Sequence, residues 1–310
     1  MRSLHLQAVF KSTAFFYLQV VLLPAILLCT AFAAKAQESP LKVASMNLCT
    51  DQFLLLLAQK KNIVALSELA ADSQYSYLWQ QADGIPLIPG DAEQLLPLKP
   101  DLIFAGRYDD SNKVNLLRAF GFQVDIVPLV ENLSQVNETL LRIATLIGEP
   151  NRGLALTQSL DLRKKQVQER VLAMPENAVK PQAVIYAANG FTHAEGTIHD
   201  ELLQLAGFSN GASAIGLKGH GNLSLEQLLK IQPQLLIMED SSDNKNSNAQ
   251  RFLQHPALKR GLPNTEVVHI PATLWMCGGP ASIDVLERLL LIRQQFLNNH
   301  AGPATGAISQ

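Results

Sequence analysis

The sequence predicts an α/β protein of two similar Rossmann-like lobes, each built on a mainly parallel sheet, joined by one long backbone helix, with a cleft between the lobes. Three observations predict it. Short β-branched or apolar runs alternate with helical patterns along the chain after residue 36, the signature of βαβ units. A stretch without any strand signal, from Asn151 to about Met174, separates two such series. Residues 93–103 (EQLLPLKPDLI) also align without gaps on residues 226–236 (EQLLKIQPQLL), 133 positions apart. In each copy a proline stops a short helix and opens a strand. Two copies at that distance mean two lobes, since a solenoid needs a short period and at least three units.

The first 36 residues stand apart from this pattern. They hold no Asp or Glu, place Arg2 and Lys11 before an apolar run over 20–34 broken only by Thr30, and close on Ala34-Lys35-Ala36, the small-x-small pattern of an export cleavage site. The run falls short of the ~20 residues of a spanning helix. Residues 1–36 are therefore expected to be a cleaved signal peptide that leaves no membrane anchor. The remainder holds 22 basic and 27 acidic residues, a net charge of −5, and two of the three cysteines. Such a composition excludes a disordered polyelectrolyte, a disulfide-stapled miniprotein and a nucleic-acid binder that relies on bulk positive charge.

In the first lobe (37–150) strands are expected at 42–47, 63–67, 101–106 and 123–128. The linker segment 151–176 reads as a backbone helix whose 24 residues, 151–174, would span about 36 Å. It ends before Pro175, and Pro181 marks entry to the second lobe (177–298), with strands expected at 183–188, 234–239 and 266–271 and a flexible tail at 299–310.

The motif E-x-L-L-x-L-x-P-D-L-I, its degenerate second copy and the single connecting helix resemble the helical-backbone (class III) substrate-binding proteins of ABC transporters. Within that class the chain is most similar to binders of ferric siderophores and cobalamin, over about residues 42–297. The resemblance implies a monomeric periplasmic protein, not an enzyme and without a cofactor of its own. It would hold a ferric chelate or corrinoid between its lobes and pass it to an inner-membrane permease dimer with a cytoplasmic ATPase. In that family one glutamate per lobe docks on permease arginines, and Glu93 and Glu226 occupy the matching positions. Both also suit the first turn of a helix, where a carboxylate favours the dipole, and Ser224 with Gln227 has the spacing of a capping box. The two readings are compatible.

Ligands of open α/β sheets lie beyond the carboxyl ends of the strands, so residues after each strand are the candidates. Asn47, Cys49 and Thr50 follow the first strand, and Arg107 and Tyr108 offer a cation and a hydrogen-bonding ring after 101–106. In the second lobe Asn189, Phe191 and Thr192 follow its first strand, while Trp275 and Met276 precede Gly278-Gly279-Pro280. The tryptophan positions of the resembled cobalamin binders hold Leu87, Gly106 and His220 here, so Tyr75, with Tyr77 and Trp79, is a candidate source of aromatics. His220 sits in Lys218-Gly219-His220-Gly221-Asn222, expected to be flexible, as an axial ligand or a loop residue. A bare-metal site needs ligands converging from both lobes, and the first lobe has no His, so no metal site is expected. Cys49 and Cys277 fall one per lobe in strand-to-helix loops; a disulfide, two free thiols or a pair of soft metal ligands all fit. Two other classes stay open. One is a ligand-sensing protein for a membrane receptor; the other is a periplasmic enzyme with Cys49 as thiolate and His220 or His193 as base, although no P-loop or G-x-G-x-x-G run occurs.

Overall fold

The computed structural model describes residues 41–89, 92–175, 180–240 and 256–300; the export segment and residues 301–310 of the expected tail lie outside them. Among the described residues no helix is long and apolar enough to cross a membrane. The first lobe runs β1 (Val43–Ser45), α1 (Leu48–Leu57), β2 (Ile63–Ser67), β3 (Leu87–Ile88), α2 (Ala92–Leu95), β4 (Leu102–Gly106), α3 (Ser111–Ala119), β5 (Val124–Val127) and α4 (Leu133–Leu146). Its sheet has the order β3-β2-β1-β4-β5 with every neighbouring pair parallel. Because helices cover both faces, the strands are mostly apolar, with Ser45, Ser67 and Asp125 as exceptions. Along β4, Leu102 and Phe104 join the cluster that holds Leu54 and Leu140, whereas Ile103 and Ala105 join the opposite one with Val114 and Leu117.

Helix α5 (Pro150–Leu172) begins with proline at its first turn, where the missing N–H costs nothing. The second lobe follows: β6 (Gln182–Tyr186), β7 (Phe191–His193), α6 (Ile198–Leu205), β8 (Ser209–Asn210), α7 (Gly211–Ala214), β9 (His220–Asn222), α8 (Leu225–Ile231), β10 (Leu235–Asp240), α9 (Pro256–Gly261), β11 (Glu266–Pro271), α10 (Ala272–Trp275) and α11 (Ser282–His300). Its parallel sheet has the order β11-β10-β6-β8, and β7 and β9 form a separate antiparallel pair. All seven expected strands are present, two of them end to end as read. The sequence did not single out β3, β7, β8 or β9, each two or three residues long and specified by neighbours rather than by pattern. Helix α11 continues through His300, so residues 299 and 300 of the expected tail are helical.

The internal repeat is closer in space than its letters suggest. Lys99 (φ 46°) and Gln232 (φ 48°), 133 positions apart, both take the left-handed conformation. In each copy the helix is therefore stopped one residue before the proline, which only opens the strand, and this corrects the expectation that proline itself is the stop.

The lobes share one interior. A single apolar cluster includes Phe53, Val130 and Leu140 of the first lobe, Leu160 of α5, and Ile185, Trp275 and Ile283 of the second. Arg163 of α5 forks onto Glu287 and Asp284 of α11, at 2.8 and 2.6 Å to the Glu287 oxygens and 2.5 Å to Asp284. Glu201 on α6 accepts a 2.7 Å hydrogen bond from the backbone N–H of Leu133, the first residue of α4, so a second-lobe side chain caps a first-lobe helix.

Candidate functional site

Both sheets reverse strand order beside the strand that opens them, and the loops leaving that point face a common cleft. Two cavities of about 390 and 320 Å³ occupy it, and they share Cys49, Tyr108, Leu129, Val130, Met276 and Gly278 as walls.

On the first-lobe side, Asn47 caps α1: its Oδ1 accepts from the N–H of Cys49 and Thr50 at 3.0 and 3.1 Å. Its Nδ2 donates to Asp109 Oδ2 at 2.8 Å, and the same oxygen accepts from the N–H of Gly106, also at 2.8 Å. A Cβ at position 106 would stand 2.5 Å from Asn47 Nδ2, so only glycine fits beside the cap, and no aromatic could occupy this position without displacing it. The lock fixes the turn that carries Arg107 and Tyr108, both exposed at the cleft, the tyrosine at 80%. Behind them Asp51 is fully buried. Burial pushes its carboxyl up to about 7, against the downward pull of hydrogen bonds from Ser45 and Ser67.

The second-lobe side is built differently. Antiparallel pairing of β7 with β9 puts His193 opposite His220, and their Nδ1 atoms lie 2.9 Å apart. His193 Nε2 lies 3.3 Å from Glu239 Oε1, near the carboxyl end of β10. The His193 ring stacks on His199 at a centroid distance of 3.6 Å, and His199 stacks in turn on Trp275 at 5.2 Å. Phe191 meets His193 edge-on at 5.1 Å and lies parallel to His220 at 6.1 Å. His199 holds its position because Thr197 caps α6 and because the buried Asp200 beside it accepts from Asn210 and Gln204 at 2.9 and 2.7 Å. Burial, reinforced by the neighbouring His193 and His220, keeps the His199 pKa well below its ordinary value, with a small opposing contribution from the Trp275 backbone. His220 is lowered by the same two causes, burial first and then His193, and partly restored by Glu131.

The floor joins the lobes. Cys49 and Cys277 meet there in disulfide geometry, with Cα atoms 5.4 Å apart across a sequence separation of 228. Next to them the backbone of Gly278 presses on Val130, where a Cβ would come within 2.5 Å of the Val130 carbonyl oxygen. A bond between them would take from Cys49 the thiolate that a cysteine nucleophile requires.

Of the residues named from sequence, Arg107, Tyr108, Phe191, His220, Trp275 and Met276 all line the cleft. Asn47 and Thr50 reach the wall, but their polar groups are engaged within the lobe: Thr50 is buried and its hydroxyl meets Ser45 and the Asn47 carbonyl. Two other named residues lie away from these cavities. Tyr75 does not line either cavity, nor do Tyr77 and Trp79; Tyr77 packs on the core and Trp79 is 42% exposed. Asn189 is an exposed turn residue at φ 59°, a conformation that asparagine tolerates, and its carbonyl accepts from Asn222. The run around His220, expected to be flexible, is strand β9. His193, His199 and Glu239 are the residues that sequence reading missed as a group. The absence of histidine from the first lobe argued against a site shared by both lobes, and no local pattern showed that one lobe gathers three histidines by itself.

Glu93 and Glu226 are exposed on α2 and α8, in the first turn of each helix. Glu226 pairs with Lys230 at 2.9 Å, which holds its carboxyl below the ordinary value, and Ser224 and Gln227 complete a capping box. In the first copy Pro97 stands where the second has Lys230.

A family model described as periplasmic binding protein matches residues 43–272. No curated protein matches the chain in sequence. Among solved structures, the chain is similar to the periplasmic heme-binding protein RhuT of Roseiflexus sp. RS-1, with 18% identity, a TM-score of 0.68, and coverage of 83% of this chain and 100% of that one. It is also similar to a periplasmic heme-binding protein from Pseudomonas aeruginosa (22% identity, TM-score 0.67, coverage 86% and 96%). A third likeness is to the periplasmic vitamin B12-binding protein BtuF of Vibrio cholerae (17% identity, TM-score 0.63, coverage 82% and 97%). At these identities the likeness shows the fold.

Proposed function

The chain belongs to the periplasmic binding protein family, and from that premise we propose that it captures a metal chelate in the cleft and delivers it to an inner-membrane ABC permease. The observation that carries this reading is the cleft itself: two adjoining cavities of about 390 and 320 Å³, walled by apolar and aromatic side chains together with Arg107 on one side and a histidine cluster on the other. A flat or globular chelate would meet the Tyr108 ring, the Arg107 guanidinium and Met276 from one side and Phe191 and Trp275 from the other. Arg107 suits carboxylate or catecholate oxygens. Solved structures of similar fold described as binding heme or vitamin B12 support a metal chelate as the ligand class. Glu93 and Glu226, equivalent points on a two-lobed surface, would orient the loaded protein on a pseudo-symmetric permease, a contribution to on-rate and register more than to affinity. The cross-lobe disulfide and shared core support a small hinge motion on loading.

To test the reading, purified mature protein is titrated separately with hemin, cobalamin and a ferric tris-catecholate, then incubated with native periplasmic extract and repurified. One-to-one uptake of a coloured chelate that weakens on Tyr108→Ala or Arg107→Ala is expected. Protein that takes up no chelate from any source overturns the proposal.

A further inference from the structure

One cluster of the cleft is left over by that reading: His193, His199 and Glu239, whose ligating atoms all lie within 4.8 Å of one another. Their chemistry is unlike the rest of the wall. His199 is 5% exposed, and its ring nitrogens have no side-chain hydrogen-bond partner, only the Trp275 backbone nearby. A buried ring so poorly paired is costly, so it persists where something else uses its lone pair. His199 nonetheless faces the larger cavity, together with His193, His220 and Glu239. An imidazole nitrogen 3.3 Å from a carboxylate oxygen, as in His193 and Glu239, needs a proton or a metal ion between them, since two lone pairs repel.

We propose that His193, His199 and Glu239 form a binding site for one divalent transition-metal ion of the zinc, cobalt or nickel kind, open towards the cleft. Two imidazoles and one carboxylate with a vacant coordination position are a ligand set these borderline ions favour over calcium or magnesium. His220 has the second role such sites require. Its Nδ1, 2.9 Å from that of His193, accepts the other ring proton and leaves His193 Nε2 as the ligating atom on the Glu239 side. Glu131 of the first lobe faces the same cavity and adds negative charge opposite the site. Metal–ligand bonds of ~2.0–2.2 Å put tetrahedral ligand atoms roughly 3.3–3.6 Å apart. The cluster must then close by about an ångström. The His193–His199 stack, 12° from parallel, must also open, because a metal lies in the plane of each imidazole that binds it. The site is independent of the chelate reading, and either can fail while the other stands.

The test uses the mature protein with its disulfide intact, stripped by chelator and titrated with Co²⁺. Expected are a one-to-one endpoint, the intense visible bands of four- or five-coordinate cobalt, displacement by Zn²⁺, and a change in Trp275 fluorescence in a Trp79→Phe background, because Trp275 stacks on His199. His199→Gln and Glu239→Gln should each weaken binding by about a hundredfold or more, and His220→Gln by about 10–100-fold with the bands retained. Absence of saturable binding, or cobalt binding that survives both His199→Gln and Glu239→Gln, overturns the proposal. Should His199→Gln lose the native circular dichroism, Glu239→Gln and His193→Gln decide.

Discussion

The two walls of the cleft stand on matching scaffolds and present opposite chemistry. Each lobe carries the same helix–turn–strand unit, down to a left-handed non-glycine residue at Lys99 and at Gln232. Yet the first-lobe wall offers Arg107 and Tyr108 on a loop locked by Asn47 and Asp109, whereas the second offers three stacked or paired histidines, Phe191 and Trp275. Duplication of a scaffold thus fixes where side chains stand and leaves their chemistry free. The difference extends inwards: beside the first wall a single acid, Asp51, is buried, whereas beside the second His193, His199 and Asp200 are buried together.

The largest expected effect concerns the surface on which the lobes are most alike. Glu93→Lys with Glu226→Lys should reduce uptake by whole cells to background and leave ligand affinity unchanged; a loss of ligand binding would sink the docking assignment. Single reversals sharpen the comparison, since Glu226 is held by Lys230 and Glu93 has no ion pair among the described residues.

Next in size is the bond that unites the walls. Cys49→Ser with Cys277→Ser releases a loop of 228 residues and should cost about 2–5 kcal/mol, read as a lower denaturation midpoint. Denatured, unreduced wild-type protein should show no titratable thiol from this pair, and two would contradict the bridge.

The smallest effect separates the walls by pH. Asp51, raised from 3.8 to about 7, keeps in the folded state a proton that the unfolded chain releases, so its contribution is full below pH ~4 and is lost as pH rises towards 7. At ~1.4 kcal/mol per unit the upper bound is about 4 kcal/mol. His199 acts in the opposite direction. Its folded pKa lies below 6.5, so its contribution is present above pH ~6.5 and falls on acidification as the unfolded chain takes up a proton. Urea midpoints measured from pH 4 to 8 should lose the fall with rising pH in Asp51→Asn and the fall with acidification in His199→Gln. Identical profiles for all three proteins would refute the assignment.

Much of the scaffold is legible in the chain. The strands Ile63–Ser67 and Glu266–Pro271 are apolar or β-branched runs bounded by turn residues, and such runs read as strands. The loops after β1 and β4 are legible as site walls because strand ends in open sheets face the ligand. Tyr75 and Asn189 fall outside the two cavities, because aromatic or polar character does not tell which way a loop turns. The short strands β7 and β9 escaped reading for a related reason: three residues carry no periodicity, and only their pairing places His220 on His193.

The sequence by itself determined two lobes around a single helix, the duplicated glutamates and the pair of cysteines, since periodicity, repetition and count are properties of the chain. Tertiary structure alone decided that the cysteines meet and that Gly106 makes room for the Asn47 cap. It also decided that His193, His199 and Glu239, drawn from three separate elements, converge on one cavity. Convergence is set by how sheets and crossovers pack, and packing brings together residues whose distance along the chain carries no trace of their contact.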